Sequence, residues 1–189
     1  MTSLKALAPL ASTNVLWNLS SVFDIILISL SKSIKCWLNA AYINPAPIWT
    51  DPNLPHLARA LVSDLWITSV RSASAGNPVN HANTQPFVDA EFIFDHNGLI
   101  DDFHARFRPR IVAELEPHYL AGILGNTESE YLFAVLRQLL ANDPDLPMEA
   151  ALAELMGRVE AWADGGRCLL NVVVSDGERL YAARHALND

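Results

Sequence analysis

Cysteine is scarce in this sequence, which contains Cys36 and Cys168 among 189 residues. Two cysteines that lie so far apart exclude a disulfide framework and a zinc site built from closely spaced thiolates. Each is expected to be a small buried hydrophobic residue rather than a reactive thiol. This cysteine usage suits a reducing compartment, so we expect a cytoplasmic protein.

Basic residues are also few. Lys and Arg number 13 against 21 Asp and Glu, which gives a formal net charge of -8. Nucleic-acid binding needs clustered Lys and Arg to contact phosphates, so this balance excludes a nucleic-acid partner. With 51% hydrophobic and 18% charged residues, a chain of this length suffices for one globular domain with a substantial core.

The sequence lacks a long apolar run. Its most hydrophobic stretch, Val22–Leu30, is interrupted by Asp24 and Ser29, and it is much shorter than the roughly 20 residues of a membrane-spanning helix. The stretch predicts a buried helix or strand, and we expect no membrane association. Lys5 alone is a weak positive region for a signal peptide, and no small-residue cleavage site follows, so export is not expected.

Two differently composed pieces are joined in this chain. All lysines lie within the first 35 residues, whereas all arginines lie from Arg59 onward. Residues 1–50 contain no Gly, His, Arg or Glu. The segment Asn44–Pro47 has the composition of a stiff extended linker. The sequence therefore predicts an N-terminal segment of foreign composition, residues 1–46, followed by a domain over residues 47–189.

The stretch Glu91–Gly98 predicts a strand followed by a turn. The pattern of apolar and polar positions from Phe92 to Asp95 indicates a short buried strand, and the Asn97-Gly98 dipeptide is a strong turn signal. Such a turn presents a side-chain amide and a backbone N–H together. Two neutral donors aimed at one point can stabilise an oxyanion. The alternative interpretation is an ordinary hairpin turn without a catalytic role.

A second predicted strand leads to an arginine. A short helix over His56–Val62 precedes the strand Leu65–Val70, which ends at Arg71. The following residues, 71–78, have the composition of a loop. We expect this strand and the strand before Asn97 to bring Arg71 and Asn97 to the edges of one sheet.

The second half of the chain predicts two principal helices. Thr127 and Glu130 match a capping box at the start of one helix, and Pro147 suits the first turn of the next, which Gly165-Gly166 ends. The apolar residues at helical spacing are Leu132, Phe133, Leu136, Leu139 and Leu140 in the first and Leu152, Leu155, Met156, Val159 and Trp162 in the second.

Weaker patterns flank these helices. Ile111–Leu124 is helix-like, although Pro117 must break the helix or begin a new turn. A hairpin with a two-residue turn at Asp176-Gly177 ends the predicted elements. Strands, then helices, then strands indicate a layered α+β domain.

Four segments resemble, in order and approximate spacing, the motifs of the class II glutamine amidotransferases. They are VRSAS at 70–74, NTQPF at 83–87, FDHNG at 94–98 and TESE at 127–130. The resemblance covers about residues 47–185. These enzymes are N-terminal-nucleophile hydrolases, so it implies a layered αββα sandwich, here incomplete at both ends. Within the family, PIWTDPNLP at 47–55 and LYAAR at 180–184 look most like the amidohydrolases of ergothioneine biosynthesis, which remove the γ-glutamyl group from a hercynylcysteine S-oxide.

The resemblance implies roles for the matching residues. Arg71 would bind the α-carboxylate of a γ-glutamyl substrate, a task suited to its planar guanidinium. Asn97 and the Gly98 N–H would form the oxyanion hole, and Glu128 would hold the substrate α-ammonium. The family normally has Asp where Glu128 stands and His where Gln85 stands. The implied partner is a small γ-glutamyl molecule, and we expect neither a cofactor nor a metal.

The family's nucleophile is a cysteine that becomes the first residue after removal of Met. Its own α-amino group, with a pKa near roughly 8, activates it. This chain has Thr2 at that position, and Thr2 is the candidate nucleophile because threonine serves in other members of the superfamily. Cys36 has no free α-amine and cannot replace it without processing.

Three interpretations of function follow. The chain is either an active γ-glutamyl amide hydrolase or a catalytically inactive remnant or binding module that keeps Arg71, Asn97 and Gly98. In the third, the histidines bind a metal, but their spacing matches no standard zinc pattern. These histidines are His81, His96, His104 and His118.

Overall fold

The computed structural model describes residues 25–31, 38–61, 65–69 and 78–188. Thr2, Cys36 and Arg71 lie outside these residues. The chain divides into two compact units. Residues 95–174 and 181–188 belong to one, called here the helical unit, while the described residues before Asp95 and residues 175–180 belong to the other, called the strand unit.

A three-stranded antiparallel sheet dominates the strand unit. Its strands are β1 (Ile25–Ser31), β2 (Leu38–Asn44) and β3 (Leu65–Ser69), in the order β2-β1-β3. Ile28 of the central strand lies opposite Ala41 on one side and Ile67 on the other. The apolar run near the N-terminus and the run before Arg71 therefore both form strands, for which their β-branched residues are well suited.

Asp51 connects β2 to the helix that follows. Its Oδ2 accepts hydrogen bonds from the Tyr42 hydroxyl and from Asn44 Nδ2, both at 2.8 Å, and its Oδ1 accepts from the Asn53 N–H at 2.9 Å. The hydrogen bond from Asn44 is the main reason that the pKa of Asp51 lies below its ordinary value, although burial opposes the shift. Helix α1 (Leu54–Ala60) begins directly after this cluster, at Leu54 rather than at the predicted His56.

A short strand, β4 (Phe87–Val88), pairs with the beginning of β5 (Ile93–Ile100). Phe87 lies opposite Phe94 and Val88 opposite Ile93. β5 belongs to a different sheet from β3. The prediction that the strands leading to Arg71 and Asn97 share one sheet is therefore wrong, because β3 pairs with β1.

The helical unit contains four described α-helices beside three strands. The helices are α2 (Arg108–Glu114), α3 (Pro117–Ala121), α4 (Glu128–Asn142) and α5 (Met148–Ala163), and a π-helical turn, Phe103–Phe107, precedes α2. The strands are β5, β6 (Cys168–Ser175) and β7 (Leu180–Leu187), adjacent in that order. Pro117 begins α3, as predicted, and helices and antiparallel strands together confirm the α+β class. Across the described residues, no helix has both the length and the apolar character needed to cross a membrane.

The core of the helical unit uses most of the circumference of α4, one face of α5 and alternate residues of β6. α4 packs against α5, and α2 and α3 pack against α4. The predicted apolar stripe of α5 is buried at every position, whereas in α4 Phe133 and Leu140 are partly exposed. Residues of this core that are at most 1% exposed include Phe107, Ile111, Leu132, Leu136, Leu155, Val159, Cys168, Leu170 and Val172.

α5 ends before the predicted glycine pair. Asp164 and Gly165 both have left-handed backbone angles, with φ of 46° and 78°. Arg106 Nη2 donates to the carbonyl oxygens of Ala163 and Asp164, each at 3.1 Å. The guanidinium therefore satisfies carbonyl groups that the end of the helix leaves without intrahelical partners, and its charge complements the helix dipole.

β6 and β7 form the predicted hairpin, but the turn is longer than predicted. β6 ends at Ser175 and β7 begins at Leu180, so the loop spans Asp176–Arg179 rather than two residues. Ser175 Oγ donates to the Arg179 carbonyl at 2.9 Å, and Asp176 Oδ1 accepts from the Glu178 and Arg179 N–H groups. These side-chain bonds to nearby backbone stabilise the longer loop.

Candidate functional site

The Asn97-Gly98 dipeptide lies inside strand β5 and does not form a turn. β5 continues without interruption from Ile93 to Ile100, so both the predicted strand end and the alternative of a hairpin turn are wrong. Gly98 also lacks the left-handed backbone angle that Gly165 and Gly177 have. β5 lies beside β6 in the sheet, and pairing between these strands outweighs the local preference of Asn-Gly for turns.

Close packing explains why position 98 is glycine. A Cβ atom on Gly98 would lie 1.8 Å from the carbonyl oxygen of Leu169 on β6 and 2.7 Å from His96 Nε2. Both distances are far shorter than any normal contact of a Cβ atom, so no larger residue fits without moving the backbone. The glycine allows β5 to approach β6 closely at this point.

Asn97 projects from this tightly packed strand. The residue is exposed, while its backbone carbonyl accepts a hydrogen bond from Asn171 Nδ2 of β6 at 3.0 Å. Its backbone is thus held on the neighbouring strand. Polar groups on regular strands are positioned more precisely than those on loops. The arrangement suits a carboxamide that has to meet a ligand atom in a fixed place.

His96 connects β5 to the beginning of α4. His96 Nδ1 lies 2.9 Å from Ser129 Oγ, and only 3% and 1% of these two residues are exposed. Ser129 directly follows Glu128, the first residue of α4. The contact therefore brings together the strand that carries Asn97 and Gly98 and the helix turn that carries Glu128.

The histidines do not form a metal centre in the described part of the chain. No group of three His, Cys, Asp or Glu side chains suitable for a metal ion occurs there. His118 instead lies 3.8 Å from the Glu116 carboxylate, and the ring of His104 contacts that of Phe103. His96, a candidate metal ligand by sequence, instead contacts Ser129, a contact that was not predicted although both residues lie within recognised motifs.

Glu130 anchors the segment that leads into α4. Thr127 is the N-cap, and its Oγ1 accepts from the Glu130 N–H at 3.4 Å, as the capping box predicts. The Glu130 carboxylate accepts from the backbone N–H groups of Leu124 and Gly125, each at 2.7 Å. The capping arrangement thus extends to residues before the N-cap. It fixes the position of the first turn, in which Glu128 is partly exposed.

Burial raises the pKa of Glu130 above its ordinary value, although the two N–H bonds oppose the shift. The stability linked to this group is full below its unfolded-state pKa and declines as the pH rises through the higher folded-state value. We expect Glu130→Gln to abolish this decline, because glutamine does not ionise. Urea unfolding at a series of pH values from about 4 to 7 measures how the free energy of unfolding changes with pH.

The matched control for this experiment is Glu149→Gln, an exposed acid in the first turn of α5. This variant retains Glu130 and should therefore keep the decline in stability. The same decline in Glu130→Gln would show that Glu130 does not contribute to the pH dependence.

The NTQPF segment lies in the strand unit and is held by its own hydrogen bonds. Asn83 Nδ2 donates to the Pro78 carbonyl at 2.8 Å, and Thr84 Oγ1 donates to the Asn80 carbonyl at 2.6 Å. Gln85 is 3% exposed. This buried position is the one at which the sequence departs from the expected histidine.

Cys168 is unsuited to act as a nucleophile. It is fully buried at the start of β6, and burial, followed by the nearby charge of Asp101, raises the pKa of its thiol to about 11. A thiol reacts as the thiolate, so a group with this pKa is almost entirely unreactive at neutral pH. The prediction that Cys168 is a small buried hydrophobic residue is confirmed.

A family model described as Glutamine amidotransferases class-II matches residues 45–187. This match covers most of the chain, and the chain belongs to the class II glutamine amidotransferase family. The suspected resemblance is therefore confirmed, and its extent agrees with the predicted range of about 47–185.

Individual relatives match over different lengths. Gamma-glutamyl-hercynylcysteine sulfoxide hydrolase of Mycobacterium tuberculosis is 40% identical over 58 residues, which are 31% of this chain and 25% of that protein. Probable glutamine amidotransferase DUG3 of Saccharomyces cerevisiae is 27% identical over 158 residues, which are 74% of this chain and 44% of that protein. The chain thus spans less than half the length of these curated relatives.

A solved structure has a similar fold. The glutamine aminotransferase class-II domain protein from Silicibacter pomeroyi superimposes with a TM-score of 0.66 at 26% sequence identity. The similarity covers 87% of this chain and 70% of that protein. It agrees with the family assignment.

Proposed function

We propose that this chain hydrolyses a γ-glutamyl amide in the manner of its family. Asn97 and the Gly98 N–H would stabilise the oxyanion that forms when the amide carbonyl is attacked. Glu128 would bind the substrate α-ammonium and Arg71 its α-carboxylate. The observation that supports this best is an exposed Asn97 on a strand whose backbone is tightly packed at Gly98.

The substrate we propose is a linear γ-glutamyl amide such as the γ-glutamyl hercynylcysteine S-oxide of ergothioneine biosynthesis. Support comes from the name of the mycobacterial relative and from the residues at 47–55 and 180–184 that resemble that subgroup. The extra methylene of Glu128, relative to the family's aspartate, would move its carboxylate and alter how tightly the α-ammonium is held.

We also propose an architecture and a cellular location for this protein. The two sheets and the helices described above are compatible with a layered αββα sandwich, which we propose as the fold. We further propose that residues 1–46 are a segment of foreign composition joined to the amidotransferase-like domain at 47–189. The low cysteine content supports a cytoplasmic location.

The identity of the attacking group separates two functions. Thr2 is the proposed nucleophile, and a threonine hydroxyl is a weaker nucleophile than a cysteine thiol, which is a few per cent thiolate at neutral pH. A γ-glutamyl-binding module without turnover is the alternative, in which Arg71, Asn97 and Gly98 bind the ligand but no group attacks it.

We expect slow glutamate release from l-glutamine and from γ-glutamyl peptides. Thr2→Ala should abolish the release and Thr2→Cys should accelerate it, because both change the attacking atom. A coupled glutamate assay measures the rates, and Cys36→Ala is the control that should leave them unchanged. Glutamate binding without release in all of these variants would establish the binding module instead.

A further inference from the structure

His96 and Ser129 join the two elements that carry the proposed binding groups. Their side chains lie 2.9 Å apart in the interior of the helical unit. His96 directly precedes Asn97 on β5, and Ser129 directly follows Glu128 on α4. A serine hydroxyl can either donate or accept, so the contact is possible with either neutral tautomer of the ring.

The other ring nitrogen of His96 lies beside Gly98. A Cβ atom on Gly98 would be 2.7 Å from His96 Nε2, so the imidazole occupies space that a side chain at position 98 would need. The Leu169 carbonyl limits the same space from β6. The imidazole and the β6 carbonyl therefore both lie on the side of Gly98 from which a side chain would project.

We propose that His96 is a positioning residue for the γ-glutamyl site, with Ser129 as the group that fixes its ring. This inference rests on the proposed function, because it assigns the pair to the alignment of Asn97 and Gly98 with Glu128. The ring sets the separation between strand and helix at the residues that would bind the two ends of one small substrate. Binding groups of this kind must be held to within roughly half an ångström, which requires supporting residues whose own positions are fixed.

A purely structural role predicts a different result from a positioning role. Loss of a buried hydrogen bond lowers the stability of any protein. If His96 aligns the site, its loss must also weaken ligand binding in protein that remains folded. Stability and binding therefore have to be measured on the same variants.

The test is a titration of the isotopically labelled full chain with l-glutamate, followed by NMR at the Gly98 amide and the His96 ring nitrogens. We expect Ser129→Ala and His96→Ala to weaken glutamate binding by about tenfold or more. His96→Asn should recover most of this loss, because an asparagine side-chain atom can stand near the position of Nδ1. Thermal unfolding of each variant is recorded in parallel.

Ser175→Ala is the matched control. Ser175 is fully buried and makes two hydrogen bonds in the β6–β7 loop, to the Arg179 carbonyl and from the Gly177 N–H. Its loss should lower the melting temperature and leave glutamate binding unchanged. If Ser129→Ala behaves in the same way, His96 has only a structural role and the inference is wrong.

Failure of the proposed function gives a separate result. If the unchanged full chain does not bind l-glutamate, the γ-glutamyl site is wrong. Whether the Ser129–His96 contact affects the position of Gly98 is then judged from the NMR signals alone. Ser129→Ala should shift both the His96 ring nitrogens and the Gly98 amide, and unchanged signals would overturn the inference as well.

Discussion

Asn97→Ala is expected to lower the turnover number for γ-glutamyl amide hydrolysis by about a hundredfold to a thousandfold, with little change in KM. This is the typical result of removing one oxyanion-hole donor, because the carbonyl oxygen needs the hydrogen bond chiefly when it becomes negatively charged. The corresponding loss of transition-state stabilisation is about 2.7–4 kcal/mol. Steady-state kinetics measure the turnover number and KM in the present chain. If turnover is slow, the same comparison is made in the Thr2→Cys variant.

Two further variants make this result specific. The main effect of Arg71→Ala should be a higher KM, because the carboxylate that Arg71 is proposed to bind is present both before and during the reaction. Asn188→Ala removes an exposed carboxamide that contacts the carbonyls of Gly165 and Gly166, and it should leave both constants unchanged. If Asn97→Ala raises only KM, Asn97 binds the ground state and is not an oxyanion donor.

Gly98→Ala is expected to destabilise the protein and to abolish γ-glutamyl binding. The added methyl group would lie 1.8 Å from the Leu169 carbonyl oxygen, so β5 and β6 would have to separate. Overpacking of this kind costs about 1–3 kcal/mol or more. In a chain of this size, each kcal/mol lowers the melting temperature by about 2–4 °C. Urea and thermal unfolding measure the loss of stability.

Gly157→Ala is the matched control within the same unit. Gly157 lies inside α5, and a Cβ atom there would meet no atom within 4 Å. Alanine has the higher helix propensity, so this variant should gain up to about 1 kcal/mol. Equal stability of Gly98→Ala and the unchanged protein would mean that β5 and β6 are not in close contact at this point.

The long helices were predictable because their signals are local. The capping residue Thr127 and an apolar stripe that recurs each turn are sufficient to predict α4, and the spacing of Leu152, Leu155 and Val159 predicts α5. The family motifs are likewise short stretches of contiguous sequence. For this reason the sequence could indicate Asn97, Gly98 and Glu128 as candidates before any contact was known.

The errors concern pairings between distant residues. Asn97-Gly98 has a strong local preference for a turn, yet β6 provides a partner strand about seventy residues later in the chain, and pairing with it keeps β5 extended. The placement of β3 beside β1 was missed for a similar reason. The length of the β6–β7 loop depends on the hydrogen bonds of Ser175 and Asp176, which the Asp-Gly signal does not specify.

The sequence by itself determined the family, the α+β class and the residue types at the proposed site, because these depend on local patterns and motif order. Only the tertiary structure showed that Gly98 is required by the close approach of β6 and that His96 contacts Ser129. Both are contacts between elements far apart in the chain, and neither residue has a local pattern that names its partner. Packing of the whole unit selects that partner, since a buried imidazole needs a polar neighbour and a close strand pair leaves no room for a side chain.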